Sequence, residues 1–578
     1  MNTRKSRCSC LVAALGCVLV AAAAATAGDL NPPAGPVAPT MLPLDEVEPR
    51  TPIRQSDLPF SITTSGSYFL TSDLVATAGG GVAITVRASN VTIDLRGFTI
   101  RNGVIPNAFS NGVSVIAGNR NVTIKDGTVR GSFGAGIEAL GIPGCRIMNV
   151  SAIQNGGQGI DVGDRAIVVN VYASGNFFDG IQVGAGSVVR ECVSESNNGR
   201  GIEVGPDSSV SNCVAFSNDG IGILTGDGCA VVGCAARLNG AEGGFFIGDG
   251  SAVRACAAHG NVAIGFDNGT TGSVAFMGCA AIDNGTDGFN ASSGSAFVGC
   301  TAELNGGVGF NLGSVVSITS CTAQSNTGDG FAAASSAALA NCVSDNNGGD
   351  GFQLSQGDST CIGLVARGNT NDGLNLNAAD NSVANCTATA NGGRGIYIRL
   401  GRSAITASTA SANTAAGFHA DGGSTTITGC TAANNFEGYL LSGDGNSVSH
   451  CSATANTDDG FDFSGNGATA HFLGATDNGD VGILFNGNSG TVFSCNAADN
   501  DRGIVVASSY SRIDSNNAGQ HTGLGIEGVS TAPGSLFVRN TVSGSAMSFA
   551  NPNERAAFIF APDNAAFTSD QPWANIDY

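Results

Sequence analysis

Apolar residues along this chain alternate with polar ones over runs of three or four, and Gly or Asn breaks each run before a helical period can build. The runs recur. Cys192, Cys213, Cys234, Cys256, Cys279, Cys300, Cys321 and Cys342 follow one another at spacings of 21 to 23 residues. The phase resumes at Cys386, Cys430, Cys451 and Cys495; Leu364, Ser408 and Gly474 fill the gaps, and Asn149 and Asn170 extend it upstream. Three other columns keep this period. An apolar residue stands three before the Cys (Val189, Val210, Phe276, Ile318), Asn stands five after it (Asn197 to Asn347, then Asn391, Asn435, Asn456 and Asn500), and Gly with a large apolar residue follows at about ten (Gly265-Phe266, Gly330-Phe331, Gly395-Ile396, Gly417-Phe418).

Such a period holds three short strands and three turns, one turn of a coil, so stacked coils set equivalent residues about 4.8 Å apart. Cys then lies on Cys, Phe on Phe, and Asn on Asn as an amide ladder. The apolar residue at −3 and the Cys would face opposite sides of a straight strand. The residue before the Cys is often Asn212, Gly233, Gly278, Gly299, Asn341, Asn385 or Gly429. These types accept the left-handed conformation, which would bend the strand and return both neighbours to the interior.

The whole repeat resembles the right-handed parallel β-helix, or pectin-lyase-like, superfamily. A leucine-rich consensus is missing, and Asn-Gly-Gly-Asp-Gly-Phe at 347–352 is only a fragment of the nonapeptide of calcium β-rolls. The expected fold is therefore all-β: a right-handed parallel β-helix solenoid of about nineteen regular coils, Gly136-Ile137 to Gly525-Ile526, plus wider N-terminal coils and end caps. The wider coils show as Asn90-Val91-Thr92-Ile93-Asp94 and Asn121-Val122-Thr123-Ile124-Lys125, which are 31 residues apart. The expected division is 1–27 signal peptide, 28–55 Pro-rich leader, 56–125 N-terminal cap and wider first coils, 126–530 regular helix, and 531–578 C-terminal cap with the only Trp, Trp573.

Gly accounts for 86 of 578 residues, without the every-third spacing of collagen, so the excess belongs to the turns. Arg4, Lys5 and Arg7 precede the apolar run Leu11 to Ala25 and the small-residue site Ala25-Thr26-Ala27, the pattern of a cleaved secretory signal. That predicts a secreted, cell-surface or periplasmic protein with no transmembrane segment after cleavage. The remainder carries 22 basic against 46 acidic residues, which argues against nucleic acid and anionic lipid as partners. Fifteen cysteines would remain in an oxidising compartment. In-register parallel residues hold their Cβ atoms near the coil spacing, wider than the ~3.8 Å a disulfide prefers, so buried free thiols are expected. No CxxC after the signal suggests a metal site.

Members of the superfamily that are enzymes act on acidic polysaccharides, usually between long loops. Asn456-Thr457-Asp458 with Asp459 matches a polygalacturonase motif superficially, but its Asn belongs to the ladder and no Gly-His-Gly follows. Asp329, Asp350 and Asp372 stand on successive coils two before the apolar anchor; they are candidate Ca²⁺ ligands, or simply turn residues. Outward positions beyond the anchor are mostly small, except Tyr397 and Arg399 on one coil and His419 and Asp421 on the next, flanked by Arg394 and Arg402. These are the candidate catalytic or sugar-binding residues: a Tyr or His to take a proton, an Arg to neutralise a uronate carboxylate. The wider coils near Asp94, Arg96, Lys125 and Asp126 are the other place for a site. Two functions follow: a secreted, non-catalytic protein that binds extracellular polysaccharide or builds a surface, or a polysaccharide lyase or glycoside hydrolase. The even period leaves no long loop to wall a cleft and favours the first.

Overall fold

The computed structural model describes residues 50–76, 81–103, 109–269, 272–529, 534–545, 547–550 and 574, and short strands at Arg555–Ala556, Ile559–Phe560 and Asn575–Asp577. The expected signal peptide and leader up to residue 49, and Trp573, lie outside the described residues. The rest is a right-handed parallel β-helix. One coil shows the plan: strands Ile181–Val183, Val188–Arg190 and Val193–Glu195, each paired in parallel and in register with the coil before and after. The strand of the Gly-apolar pair forms one face, called here the anchor sheet. It runs from Phe60–Ile62 to Met547–Ala550, and nineteen of its strands lie between Ile137–Ala139 and Leu524–Gly528.

All seven Asn and Gly residues at the bend before the Cys column have positive φ, between 52° and 65°. The position imposes this conformation whatever residue fills it: Glu191, Ala255 and His450 adopt it too. A second left-handed bend precedes each ladder Asn, as at Ser196, Leu238 and Ser325. Each non-Gly residue held there costs roughly 1 kcal/mol, which the ladders must offset. The Asn176 amide donates to Asn197 Oδ1 at 2.8 Å, and the Asn176 backbone N–H meets the same oxygen at 3.0 Å. The pattern runs from Asn155 to Asn500, taking in Asn369, Asn413 and Asn478, and ends on His521, whose Nδ1 faces the Asn500 N–H at 3.3 Å.

The Cys column differs from its expected form in two ways. Strand register places Val150, Val171 and Leu473 in it, each one residue from Asn149, Asn170 and Gly474. Asn149 and Asn170 are the left-handed residues of their coils. The column is also a corner ladder and more than apolar filling: the Cys234 N–H points at Cys256 Sγ (3.4 Å), the Cys386 N–H at Ser408 Oγ (3.2 Å) and the Cys495 N–H at Asn516 Oδ1 (2.9 Å). All fifteen cysteines among the described residues are buried and free. Burial pushes the Cys145 thiol up to about 12 and those of Cys386 and Cys495 to about 11.

The interior stacks like on like. Phe245, Phe266, Phe289, Phe310, Phe331 and Phe352 lie ring over ring at 4.6 to 4.9 Å, with planes within 8°. Because every anchor faces inward, the residue after it points away from the core. That outward column reads Glu138, Asp161, Gln182 and Glu203 early in the chain and Asn375, Tyr397 and His419 later.

Candidate functional site

The patch around Tyr397 is assembled by register. Strands Ile396–Ile398 and Phe418–Ala420 pair with Tyr397 opposite His419. The Tyr397 hydroxyl donates to Asp421 Oδ2 at 2.6 Å, and His419 Nε2 lies 2.8 Å from Asp421 Oδ1. One carboxylate thus holds both rings, whose centroids are 5.1 Å apart. His419 takes an outward position, as the pattern predicts, yet it is only 8% exposed because Tyr397 and Asp421 cover it. The Arg394 guanidinium sits 4.1 Å over the Tyr397 ring, so that face is already occupied.

Charge within the patch follows from this packing. Burial raises the Tyr397 phenol above its ordinary range, and the hydrogen bond to Asp421 acts in the same direction. Burial also keeps the His419 imidazole below its usual value. Burial would raise the Asp421 carboxyl, but hydrogen bonds from Tyr397 and His419 outweigh it and hold it low. At neutral pH the site therefore holds a neutral phenol, a neutral imidazole and a carboxylate. Arg402 forms a two-point pair with Asp380 (2.6 and 2.9 Å), and Arg394 reaches Asp372 Oδ2 at 3.5 Å. Arg399 is exposed; its backbone N–H donates to the Leu376 carbonyl at 3.0 Å, and its guanidinium has no polar partner among the described residues.

The Asp329, Asp350 and Asp372 column is tied to the backbone. Their Oδ1 atoms accept the N–H groups of Asp350, Asp372 and Arg394 at 2.7, 2.9 and 2.7 Å, and Asn375 donates to Asp350 Oδ2 at 2.7 Å. Burial pushes the Asp350 carboxyl up to about 6. Among the described residues, one group of three carboxylates brings its oxygens within 4.8 Å of one another: Asp458, Asp459 and Asp480. Burial there lifts Asp459 to about 7, with Asp458 and Asp480 adding to the effect, while Arg502 pairs with Asp480 at 2.8 Å. On the wider coils, Lys125 bridges Asp126 (2.8 Å) and Asp94 (3.6 Å), Arg50 meets Asp94 at 3.2 Å, and Arg96 lies over Phe69.

The family model described as right handed beta helix region matches residues 81–236, 306–457, 359–483 and 401–551. The chain belongs to the right-handed β-helix family. No curated protein matches it. Among solved structures, the β-helix is similar to the Azotobacter vinelandii mannuronan C-5 epimerase AlgE6 A-module, at 15% identity over 69% of this chain and 98% of that one, TM-score 0.28. Tailspike protein 2 of the Escherichia coli O157:H7 bacteriophage CAB120 is 12% identical over 54% of this chain and 40% of its own, TM-score 0.24. Pectate lyase Pel9A is 14% identical over 56% and 71%, TM-score 0.21. These likenesses are of fold and say nothing of what this β-helix binds. Among the described residues, no helix is long and apolar enough to cross a membrane.

Sequence reading of this β-helix brings Tyr397, His419 and Asp421 together and misses how Arg394 covers the first. It also passes over Asp480 as a neighbour of Asp458 and Asp459. The signal was the 22-residue interval between Asp458 and Asp480, one coil length.

Proposed function

We propose that this β-helix is an exported protein that binds acidic polysaccharide at the Tyr397 patch. The observation that carries the reading is Arg399: an exposed, unpaired guanidinium beside a Tyr397–Asp421–His419 cluster, on a chain whose net charge is −21. A planar guanidinium pairs with a uronate carboxylate at two points. The Tyr397 edge and the exposed Asp421 offer hydrogen bonds to the sugar hydroxyls. With one ring face under Arg394, stacking contributes little, so binding is weak, with Kd roughly 10 μM to 1 mM, and it falls with salt. The N-terminal pattern from Arg4 to Ala27 supports export, with residues 28–55 as leader, 56–125 and 531–578 as the capped ends and 126–530 as the regular coils. The reading needs no bound Ca²⁺.

A second reading, β-elimination from a uronate, is supported by the shared Asp421: His419 and Tyr397 stand side by side as base and acid beside a cation. The burial of His419, only 8% exposed with its Nε2 turned to Asp421, weighs against it as the base. Incubation with oligogalacturonate and other acidic polysaccharides, with ultraviolet absorbance and reducing ends followed alongside binding, separates the two. Binding without new absorbance or reducing ends is the expected outcome.

A further inference from the structure

The outward column of the anchor sheet changes character in its first coils. Glu138, Asp161, Gln182 and Glu203 stand there on successive coils, in register. The turn after Ile137–Ala139 is longer than that after Ile160–Val162: Arg146 pairs with Ile167, so residues 140–145 span what 163–166 span one coil later. The two extra residues raise a wall, and beneath it lies a groove of about 480 Å³. Its lining includes Leu140, Pro143, Asp161, Asp164, Arg165 and Gln182.

Asp161 is anomalous in this groove. It is 7% exposed, and its Oδ1 is buried without a hydrogen-bond partner. The carboxyls around it are all engaged. Asp164 accepts the Ala185 N–H at 2.9 Å, Asp179 the Arg200 N–H at 2.6 Å, and Glu138 the Asn111 amide at 2.6 Å, while Glu203 pairs with Arg200 at 2.7 Å. A buried carboxyl without a donor is costly and calls for one from outside the chain. Burial pushes Asp161 up to about 6, and the charges of Glu138, Asp179 and Glu203 push it the same way. Arg165 and Arg200 are two cations against five carboxyls, so the neighbourhood favours a positive ligand.

Size and convergence decide which kind. A bare metal ion needs several oxygens at one point. Asp161 belongs to no such group: among the described residues only Asp458, Asp459 and Asp480 converge. The groove is the size of a ring, and Leu140, half exposed, gives it an apolar wall beside the carboxylate floor. We propose that this groove binds an amino-sugar unit, with its protonated amine against the Asp161 carboxylate and its ring against Leu140 and Pro143. The site is separate from the Tyr397 patch and does not depend on that reading. It also repels a uronate, which the other patch attracts.

The test is calorimetric titration of the full mature chain with a β-1,4-linked glucosamine tetrasaccharide and with its fully N-acetylated counterpart. The amine form should bind, and acetylation should weaken it about tenfold or more by removing the charge. Asp161→Asn should weaken it by a similar factor, and Tyr397→Ala should leave it unchanged. Should Asp161→Asn lower the melting temperature, Leu140→Ser on the exposed wall should still weaken binding about threefold. Equal affinity for the two tetrasaccharides, or unchanged affinity in a folded Asp161→Asn variant, overturns the proposal. So does Asp161-dependent binding of Ca²⁺ alone with none of the tetrasaccharide.

Discussion

The neighbourhoods of Asp161 and Tyr397 stand on one sheet face, in one column, over one interior. Beneath both, the anchors are buried: Ile160, Ile181 and Ile202 in one, Leu374, Ile396 and Phe418 in the other. The amide ladder passes beneath both at the same spacing, Asn176 to Asn197 at 2.8 Å and Asn391 to Asn413 at 2.9 Å. Outside, they are opposites. The first gathers carboxyls around one that lacks a partner; the second gathers guanidiniums around a Tyr–Asp–His cluster. The outward residue touches no core, so the repeat leaves its identity free, and chemistry is found where the column departs from small residues. A solenoid of this kind separates what folds it from what its surface presents.

That separation can be broken at its interior first. Asn176→Ala and Asn391→Ala should each cost on the order of 3 kcal/mol in denaturant unfolding, because each leaves the preceding coil's amide and backbone N–H without an acceptor. Equal losses would show a shared interior; a neutral variant in either place would show that it is not shared. The exterior should respond with the opposite sign. The folded Asp161 carboxyl titrates at about 6, above the ~3.9 of an unfolded chain, so its unfavourable burial is absent below pH ~4, grows as pH rises to about 6 and is constant beyond. Asp161→Asn should therefore raise stability by on the order of 2 kcal/mol at pH 7.5 and by almost nothing at pH 4. The same substitution at Asp421, held low by its partners, should show no such gain. Smaller still is the effect at Asp350, whose Oδ1 accepts the Asp372 N–H and whose carboxyl burial also raises to about 6: at pH 4, where ionisation no longer offsets the lost hydrogen bond, Asp350→Ala should cost about 1 kcal/mol, and a chelator should leave the melting temperature unmoved if that column is a backbone brace. A chelator shift lost in Asp350→Ala would make it a Ca²⁺ site instead.

The interior was legible because it is periodic. Left-handed Asn212 and Gly233, the Phe stacks and the Asn ladder all follow from like residues recurring at one coil length. The column assignments at Asn149, Asn170 and Gly474 miss by one, since Asn suits both the left-handed bend and the ladder and composition alone cannot say which. The Cys corner was read as apolar because Cys is small and buried; that its sulfur accepts an N–H, as Ser408 and Asn516 do, appears only with the backbone in place. The exterior was legible in position and not in contact. Tyr397, His419 and Asp421 stand out from small neighbours, yet the burial of His419, the Arg394 lid on Tyr397 and the isolation of Asp161 depend on which side chains reach across from coils about 22 residues away.

Titration of oligogalacturonate into the wild type, the Tyr397→Ala/Arg399→Ala double variant and Asp161→Asn tests the central claim most directly. The double variant should lose about tenfold or more in affinity with its melting temperature nearly unchanged, and Asp161→Asn should bind as the wild type does. A double variant that binds oligogalacturonate as tightly as the wild type would contradict it.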